Sequence, residues 1–278
     1  MSEPFFVKGK VKTVYPTDDP NTVIIQYEDK VTAGNGEKED YPEGKGALCC
    51  TISAILFQKL EDEGICTHFK RQIHGHRMIC EYVDIVPIEV VVRNVAAGGI
   101  VRETRVKEGI KFQYPLVEFY LKDDEKNDPL LTPDRMNLMG YTHILTDLMT
   151  EKALKVNDIL VDIFNKLDIT LVDFKLEFGH EKTAGHLLLA DEISPDSMRL
   201  WKIGSDERYD KDLFRKDEGD IVPAYREILD RLQPLKDNLS YQPVVRDRQS
   251  ERARVEKIPG YTEARHEASD ELSITIGD

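Results

Sequence analysis

The sequence predicts an α+β fold, and three observations predict it. Segments of strand and helix character mix without the regular alternation of a doubly wound sheet. Two apolar stripes recur at helical spacing: Leu48, Ile52, Ile55, Leu56 and Leu60, then Met149, Ala153, Val156, Leu160, Ile163 and Leu167. Around them lie alternating or apolar runs bounded by turn formers, which read as strands.

In chain order, VKGKVKTVY (7–15) alternates, PTDDPN (16–21) is dense in turn residues, and TVIIQY (22–27) is β-branched and aromatic. The start of the chain is therefore strand, turn, strand. Residues 33–45 are polar and glycine-rich and read as a long loop. The first helix follows, with Gly64 where a C-cap belongs. HFKRQI (68–73), RMICEYV (77–83) and IEVVVR (88–93) are strands, and Asp147 to Leu167 is the clearest helix. ITLVDFKLEF (169–178) and HLLLADEIS (186–194) form two strands joined by the turn at Gly179–Gly185. A last helix is expected over Gly219 to Leu232. Beyond Gln233 the chain turns polar and carries the arginine-rich stretch Arg246–Arg254, so a poorly ordered or surface-wrapped extension over 233–278 is expected, with a partner-docking arm as the alternative.

The 278 residues suffice for one large domain or two smaller lobes. Acidic side chains number 52 against 38 Lys and Arg, a formal charge of -14. That balance repels nucleic-acid backbones but allows a small phosphorylated ligand held by a local basic cluster. No apolar run approaches the roughly 18 residues that span a bilayer. The first residues lack the features of a secretory leader, so no membrane partner and a cytoplasmic location are expected. Cys49, Cys50, Cys66 and Cys80 form no CxxC pair and read as reduced thiols. His74 and His76 read as a surface turn, and His180 and His186 as surface residues.

Chemistry gathers in four segments. In LVDFKLEFG (171–179) strand alternation puts Asp173, Lys175 and Glu177 on one face and Val172, Phe174, Leu176 and Phe178 on the other. Cross-strand charge pairing alone would also produce such a row. The next strand is apolar until it presents Asp191, Glu192, Asp196 and Arg199. In a hairpin, Asp191 would approach the charged face, where Glu177 and Asp191 would share one magnesium ion and Lys175 would meet a phosphoryl group. Lys8, Lys10 and Lys12 are expected on one face of the first strand, with Gly9 allowing close phosphate approach. Solvated edge protection is the plainer reading of that row. In VVVRNVAAGG (90–99) a buried strand ends in Arg93 and runs into small residues whose N–H groups would cradle an anion. Neither a P-loop nor a dinucleotide fingerprint is present.

Taken together, GKVKTVY (9–15), TAGNGEK (32–38), VVVRNVAAG (90–98), LVDFKLEFG (171–179), DEISPDSMRLW (191–201) and DKDLFR (210–215) resemble the phosphoribosylaminoimidazole-succinocarboxamide synthase family of purine-biosynthesis ligases. The pieces stand in the family's order and span roughly Phe6 to Leu232. The resemblance implies a two-lobed fold of antiparallel sheets with ATP in the cleft between lobes: residues 1–86 covering the nucleotide and 87–232 forming the larger catalytic lobe. It implies that carboxyaminoimidazole ribonucleotide is joined to L-aspartate while ATP becomes ADP and phosphate. By similarity Lys10, Val11, Lys12 and Val14 cover the nucleotide, and Glu81, Val83 and Ile85 offer backbone groups to the adenine. Lys175, Glu177 and Asp191 handle phosphates and Mg2+. Arg93, Gly99 and Arg199 match positions that hold the ribonucleotide phosphate. Lys122, Asp173, Asp196, Lys211, Asp212 and Arg215 line the same region for the ribonucleotide or aspartate. A homodimer is implied by similarity only.

Two departures stand out. Bacterial relatives often carry Asp where this chain has Asn35, and Ser where it has Gly99. A kinase and a non-catalytic nucleotide-binding module would use a similar residue set, but the chain lacks the HRD-type loop and DFG of protein kinases.

Overall fold

The computed structural model describes residues 6–34 and 36–237. Most of the expected extension, 238–278 with its arginine-rich stretch, lies outside the described residues, as does Asn35; its first residues, 233–237, instead continue the last helix.

Two antiparallel sheets organise the chain. β1 (Val7–Lys8), β2 (Lys12–Pro16) and β3 (Thr22–Tyr27) pair in succession. A small hairpin of β4 (Val31–Ala33) and β5 (Lys38–Asp40) precedes α1 (Lys45–Asp62). β6 (Phe69–His74) and β7 (Arg77–Glu81) complete the first sheet in the order β1-β2-β3-β7-β6. The second sheet starts with β8 (Val83–Val95). Then come α2 (Gly99–Glu103), β9 (Lys111–Leu121), β10 (Leu130–Leu131), α3 (Pro133–Leu138) and α4 (His143–Lys166). β11 (Ile169–Glu181) is its central strand, followed by β12 (Leu187–Ala190) and β13 (Met198–Lys202). The order is β10-β9-β8-β11-β12, with β13 also pairing β11. α5 (Asp212–Arg215) and α6 (Ile221–Asp237) end the described chain.

α1 is buried nearly all round because it lies between the first sheet and α6. The predicted stripe Leu48, Ile52, Ile55, Leu56 and Leu60 is buried, but so are Cys49, Cys50 and Phe57 on its other faces. From α6, Tyr225, Ile228 and Leu232 close that layer. α4 begins four residues earlier than the apolar stripe implied, since the Thr142 hydroxyl accepts from the Leu145 N–H at 3.3 Å and sets the N-terminus. Its Met149, Ala153, Val156, Leu160 and Phe164 are fully buried and pack toward β8, β9 and β11. The second sheet thus has one apolar face under α4 and leaves the other for polar side chains.

The sheets are joined directly. The His68 N–H donates to the Leu189 carbonyl at 2.9 Å, and Leu189 N–H to the Cys66 carbonyl at 3.1 Å. This tie fixes the cleft between the first sheet and the end of β12.

Three expectations need correction. The first strand is broken: the Gly9 N–H donates to the Lys12 carbonyl at 2.8 Å, and β1 folds back on β2. Lys8, Lys10 and Lys12 therefore share no strand face. The expected loop 33–45 contains the β4–β5 hairpin, whose pairing of Val31 with Asp40 a polar sequence does not advertise. His186 is buried, its Nδ1 2.5 Å from Glu181 Oε1, so only His180 of the two is partly exposed. Cys49, Cys50 and Cys80 are buried free thiols and Cys66 is half-buried. No helix among the described residues is long and apolar enough to cross a membrane.

The entry of α1 is set by close backbone contact. Asp29 accepts from the N–H groups of Gly44 and Gly46 at 2.9 and 2.8 Å, capping the helix from a distance. A Cβ at Gly46 would stand 2.6 Å from the Tyr27 carbonyl oxygen. Gly46→Ala is expected to destabilise the protein by about 1–3 kcal/mol, despite alanine's better helix propensity, because the neighbour is backbone. Urea unfolding checks this; an unchanged or raised midpoint would contradict it.

Candidate active site

The site grows from strand register. On β8, Glu89, Val91 and Arg93 alternate onto one face; on β11, Asp173, Lys175 and Glu177 do the same. The pairing sets Asp173 opposite Arg93, Lys175 opposite Val91 and Glu177 opposite Glu89. β9 adds Glu118 opposite Val91 and Tyr120 opposite Glu89. One polar face thus runs across three strands, on the side away from α4.

At one end of that face lies a lysine–carboxylate cluster. Lys175 Nζ is 2.8 Å from Glu89 Oε1 and 2.7 Å from Glu177 Oε1, while Lys122 Nζ is 2.5 Å from Glu177 Oε2. β12 pairs with β11 as a hairpin, Glu177 opposite Ala190, so the following residue Asp191 comes to this end. Asp191 takes a left-handed backbone, φ 62°, which aspartate tolerates better than most residues. Lys12 crosses from the first sheet to meet Asp191, and it reaches Glu192 Oε1 at 3.0 Å. Burial alone would push the Asp191 carboxyl up and the Lys175 amine down. The lysines instead hold Asp191 well below the usual carboxylate range, and Glu177, Asp191 and Glu89 hold Lys175 well above the usual lysine range. Lys175 and Asp191 are therefore both charged at neutral pH.

At the other end is an arginine–aspartate ladder. Asp173 receives Arg93 Nη1 at 2.7 Å and Arg199 Nη1 at 2.8 Å. Arg93 Nε also donates to Glu118 at 2.6 Å. Arg199 Nε reaches Asp212 at 3.0 Å, which in turn takes Arg215 Nη1 at 2.7 Å. Buried Asp173 therefore aligns two guanidinium groups and has its own oxygens filled. A Cβ at Gly98 (φ 64°) would lie 2.6 Å from Arg199 Nη2, so glycine there makes room for the guanidinium. At neighbouring Gly99 the space where a side chain would start is faced by Glu103 Oε1 at 3.1 Å and Arg93 Nη2 at 3.5 Å. A cleft of about 540 Å³ opens over this ladder, with Arg93, Arg102, Arg199, Lys211, Arg215 and Lys175 among its walls. Glu89, Glu103, Asp128, Asp173 and Asp196 share those walls, so the six cations leave the cleft slightly positive in a chain of net charge -14, and its arginine end suits an anion.

Asp196 sits deeper. It is paired with Lys45 at the start of α1 and accepts from Tyr225 of α6 at 2.7 Å. Burial would raise its pKa, but Lys45 and Lys211 bring it down to about 2. This buried pair locks α1 and α6 onto the loop that carries Asp191 and Glu192. Cys49, Glu192 and Asp196 are close enough to resemble a metal triad. Lys45 holds Asp196, Ser194 and Lys12 hold Glu192, and burial keeps the Cys49 thiol protonated, so that cluster is a hydrogen-bonded core. Glu177 and Asp191, by contrast, are carboxylates bonded to lysine side chains alone, a donor set suited to a hard divalent ion that also takes phosphate oxygens.

The remaining predicted positions are more scattered. Lys10 pairs with Asp124 at 2.5 Å across the mouth of the cleft, and Val14 packs against the core. The N–H groups of Glu81 and Tyr82 are already donated to His68 and Asn21 carbonyls. Val83 is buried and Ile85 is 40% exposed. The sequence reading missed Glu89, Glu118, Tyr120, Arg102 and Lys45. Alternation backward from Arg93 would have put Glu89 on the charged face; the others carried no comparable signal.

The two joined sheets, the lysine–carboxylate cluster and the cationic cleft define a class of protein that handles phosphate-bearing small molecules between two lobes. The profile of the family described as SAICAR synthetase matches residues 5–232. The phosphoribosylaminoimidazole-succinocarboxamide synthase of Nautilia profundicola is 47% identical over 231 residues, 82% of this chain and 98% of that one. A SAICAR synthetase solved in complex with ADP is 43% identical with a TM-score of 0.79, over 82% of this chain and 97% of that one. The Ehrlichia chaffeensis enzyme of the same name aligns at 38% identity and TM-score 0.80, over 83% and 98%. The chain belongs to the SAICAR synthetase family.

Lys45→Met strands Asp196, whose side chain is 3% exposed, as a buried carboxylate held only by Tyr225. The expected loss is about 3–5 kcal/mol of stability, read by chemical denaturation. A change below about 1 kcal/mol would show that the pair does not anchor the loop.

Proposed function

We propose that this chain is the ATP-dependent ligase that joins carboxyaminoimidazole ribonucleotide to L-aspartate through an acyl phosphate, giving SAICAR, ADP and phosphate in purine biosynthesis. Family membership supports the reaction class. The observation that carries the chemistry is the single polar face with acidic and lysine groups at one end and guanidinium groups at the other.

A carboxylate is a poor electrophile because attack on it must expel oxide. In the first step a substrate carboxylate oxygen forms a bond to the terminal phosphorus of ATP, and the bond to the ADP oxygen breaks. In the second, the aspartate amine bonds to the acyl carbon and the phosphate departs with the C–O electron pair. The first step needs charge neutralisation and alignment more than covalent help. Lys12, Lys122 and Lys175 supply positive charge beside the carboxylates Glu177 and Asp191. Those two carboxylates would hold Mg2+, which neutralises phosphate charge when bound. Lys10, Val11, Lys12 and Val14 would cover ATP, and backbone of the 81–85 segment would meet its base. Arg93, Arg199 and Arg215 would grip the ribonucleotide phosphate, with Asp173 and Asp212 fixing their orientation. In this reading residues 1–86 cover the nucleotide and 87–232 carry the ribonucleotide. We expect the reaction in the cytoplasm and a homodimeric assembly.

ADP release should require ATP, the ribonucleotide and aspartate together, and the amide product should carry the amine. Release at full rate without aspartate would instead mark a kinase. Glu177→Gln and Asp191→Asn should each lower kcat by about 100-fold or more while the circular-dichroism spectrum stays unchanged. Unimpaired turnover in both would remove the metal assignment.

A further inference from the structure

Every lysine of the acidic cluster is occupied. Lys12, Lys122 and Lys175 sit on Asp191, Glu177 and Glu89, and Lys45 sits on Asp196. Lys211, which leads into α5 and lines the cleft beside Arg199 and Arg215, is different. Among the described residues no carboxylate oxygen lies within ion-pairing distance of its Nζ and it donates no side-chain hydrogen bond. Asp196, the acid that acts on it most strongly, is already filled by Lys45 and Tyr225.

The proposed reaction needs a group of this kind. L-Aspartate enters with its amine as an ammonium ion, which has no lone pair. A base must remove one proton before the nitrogen can attack, and the amine must meet the acyl phosphate before water does. Glu177 and Asp191 are poor candidates, because lysines already fill their oxygens, and Lys12 and Lys175 hold Asp191 well below the usual carboxylate range. Asp173 has both oxygens bonded to arginines. His180 and His186 lie at the far hairpin turn.

Resting on the ligase reading, we propose that Lys211 is the catalytic base that accepts the proton of the incoming aspartate ammonium. In its unprotonated form Nζ takes one proton from the substrate ammonium and becomes an ammonium itself. The freed lone pair forms the C–N bond, and the C–O bond to phosphate breaks with its electrons on the phosphate oxygen. The second nitrogen proton leaves with the phosphate as hydrogen phosphate. Lys211 returns its proton to solvent when the cleft opens. The electrostatics agree with this role. Enclosure in the cleft lowers the Lys211 pKa; Asp196 and Glu192 from the loop before β13 oppose that, while Arg215 on α5 and Lys45 on α1 add to it. The direction is opposite to that of Lys12, Lys45 and Lys175.

The test is steady-state ADP release by the full chain and by Lys211→Arg and Lys211→Met, at saturating aspartate, from pH about 6.5 to about 9.5. Arginine keeps the positive charge and cannot act as a base. Lys211→Arg should lose about 100-fold in kcat near neutral pH with the KM for aspartate changed little. The loss should shrink about tenfold per pH unit as the substrate amine deprotonates unaided. With hydroxylamine, uncharged at neutral pH, the loss in Lys211→Arg should be much smaller than with aspartate. A loss independent of pH, wild-type kcat in Lys211→Arg, or an equal loss with hydroxylamine would overturn the assignment and leave Lys211 an anchor for substrate charge. If the parent chain itself releases ADP at full rate without aspartate, the ligase reading fails first, and the two failures are distinguishable.

Discussion

Everything in the cleft depends on a set of carboxylates and lysines held together on one sheet face and across to the neighbouring sheet. Glu89, Glu177 and Asp191 would repel one another at this proximity without Lys12, Lys122 and Lys175 among them. Only Lys12 comes from the first sheet, so it is the charge that couples the two sheets at the site. Ion pairs of this kind contribute little net stability, since desolvation offsets most of the attraction. The fold is held by the apolar layers: α4 on one sheet, α1 and α6 beside the other. Glu177 is as buried as Asp173, so its lysines can leave only as a bound ion takes their place, and phosphate oxygens would then replace carboxylates as the lysines' partners.

The guanidinium end works by the opposite logic. Asp173 is nearly inaccessible and fixed by Arg93 and Arg199, and Asp212 by the same Arg199 and by Arg215. Breaking one link would leave a buried charge without a partner, so the ladder is rigid. A rigid set of donors can hold a phosphate in one orientation while the lysine end adjusts. Gly98 belongs to this rigidity, because its backbone is in contact with the Arg199 guanidinium.

Much of this was legible in the sequence where a period of two applied. LVDFKLEFG gave the charged face and its hairpin partner, because alternation survives in β11 from Asp173 onward. It fails at Val172, which packs with Val95 and Ala97 in a separate small cluster beyond a register shift between Leu171 and Asp173. The same reasoning misled at VKGKVKTVY: the alternation is real, but Gly9 permits a turn, and the turn takes precedence. The β4–β5 hairpin was hidden by polar composition, and β9 by Pro115 in the middle of its run, which argues against a strand. Lys45 could not have been assigned from sequence, since its partner Asp196 is more than 150 residues away. Buried His186 looked like a turn residue because its partner Glu181 stands across the hairpin.

The central claim is that Glu177 and Asp191 release their lysines and take a shared ion when the nucleotide arrives. Crystals of the chain with a non-hydrolysable ATP analogue and Mn2+ in place of Mg2+ test it directly, because anomalous scattering locates the ion. The account predicts the anomalous peak within bonding distance of a carboxylate oxygen from each residue, with Lys12 and Lys175 turned toward phosphate. A peak held by other side chains, with Glu177 still bonded to Lys122 and Lys175, would contradict it.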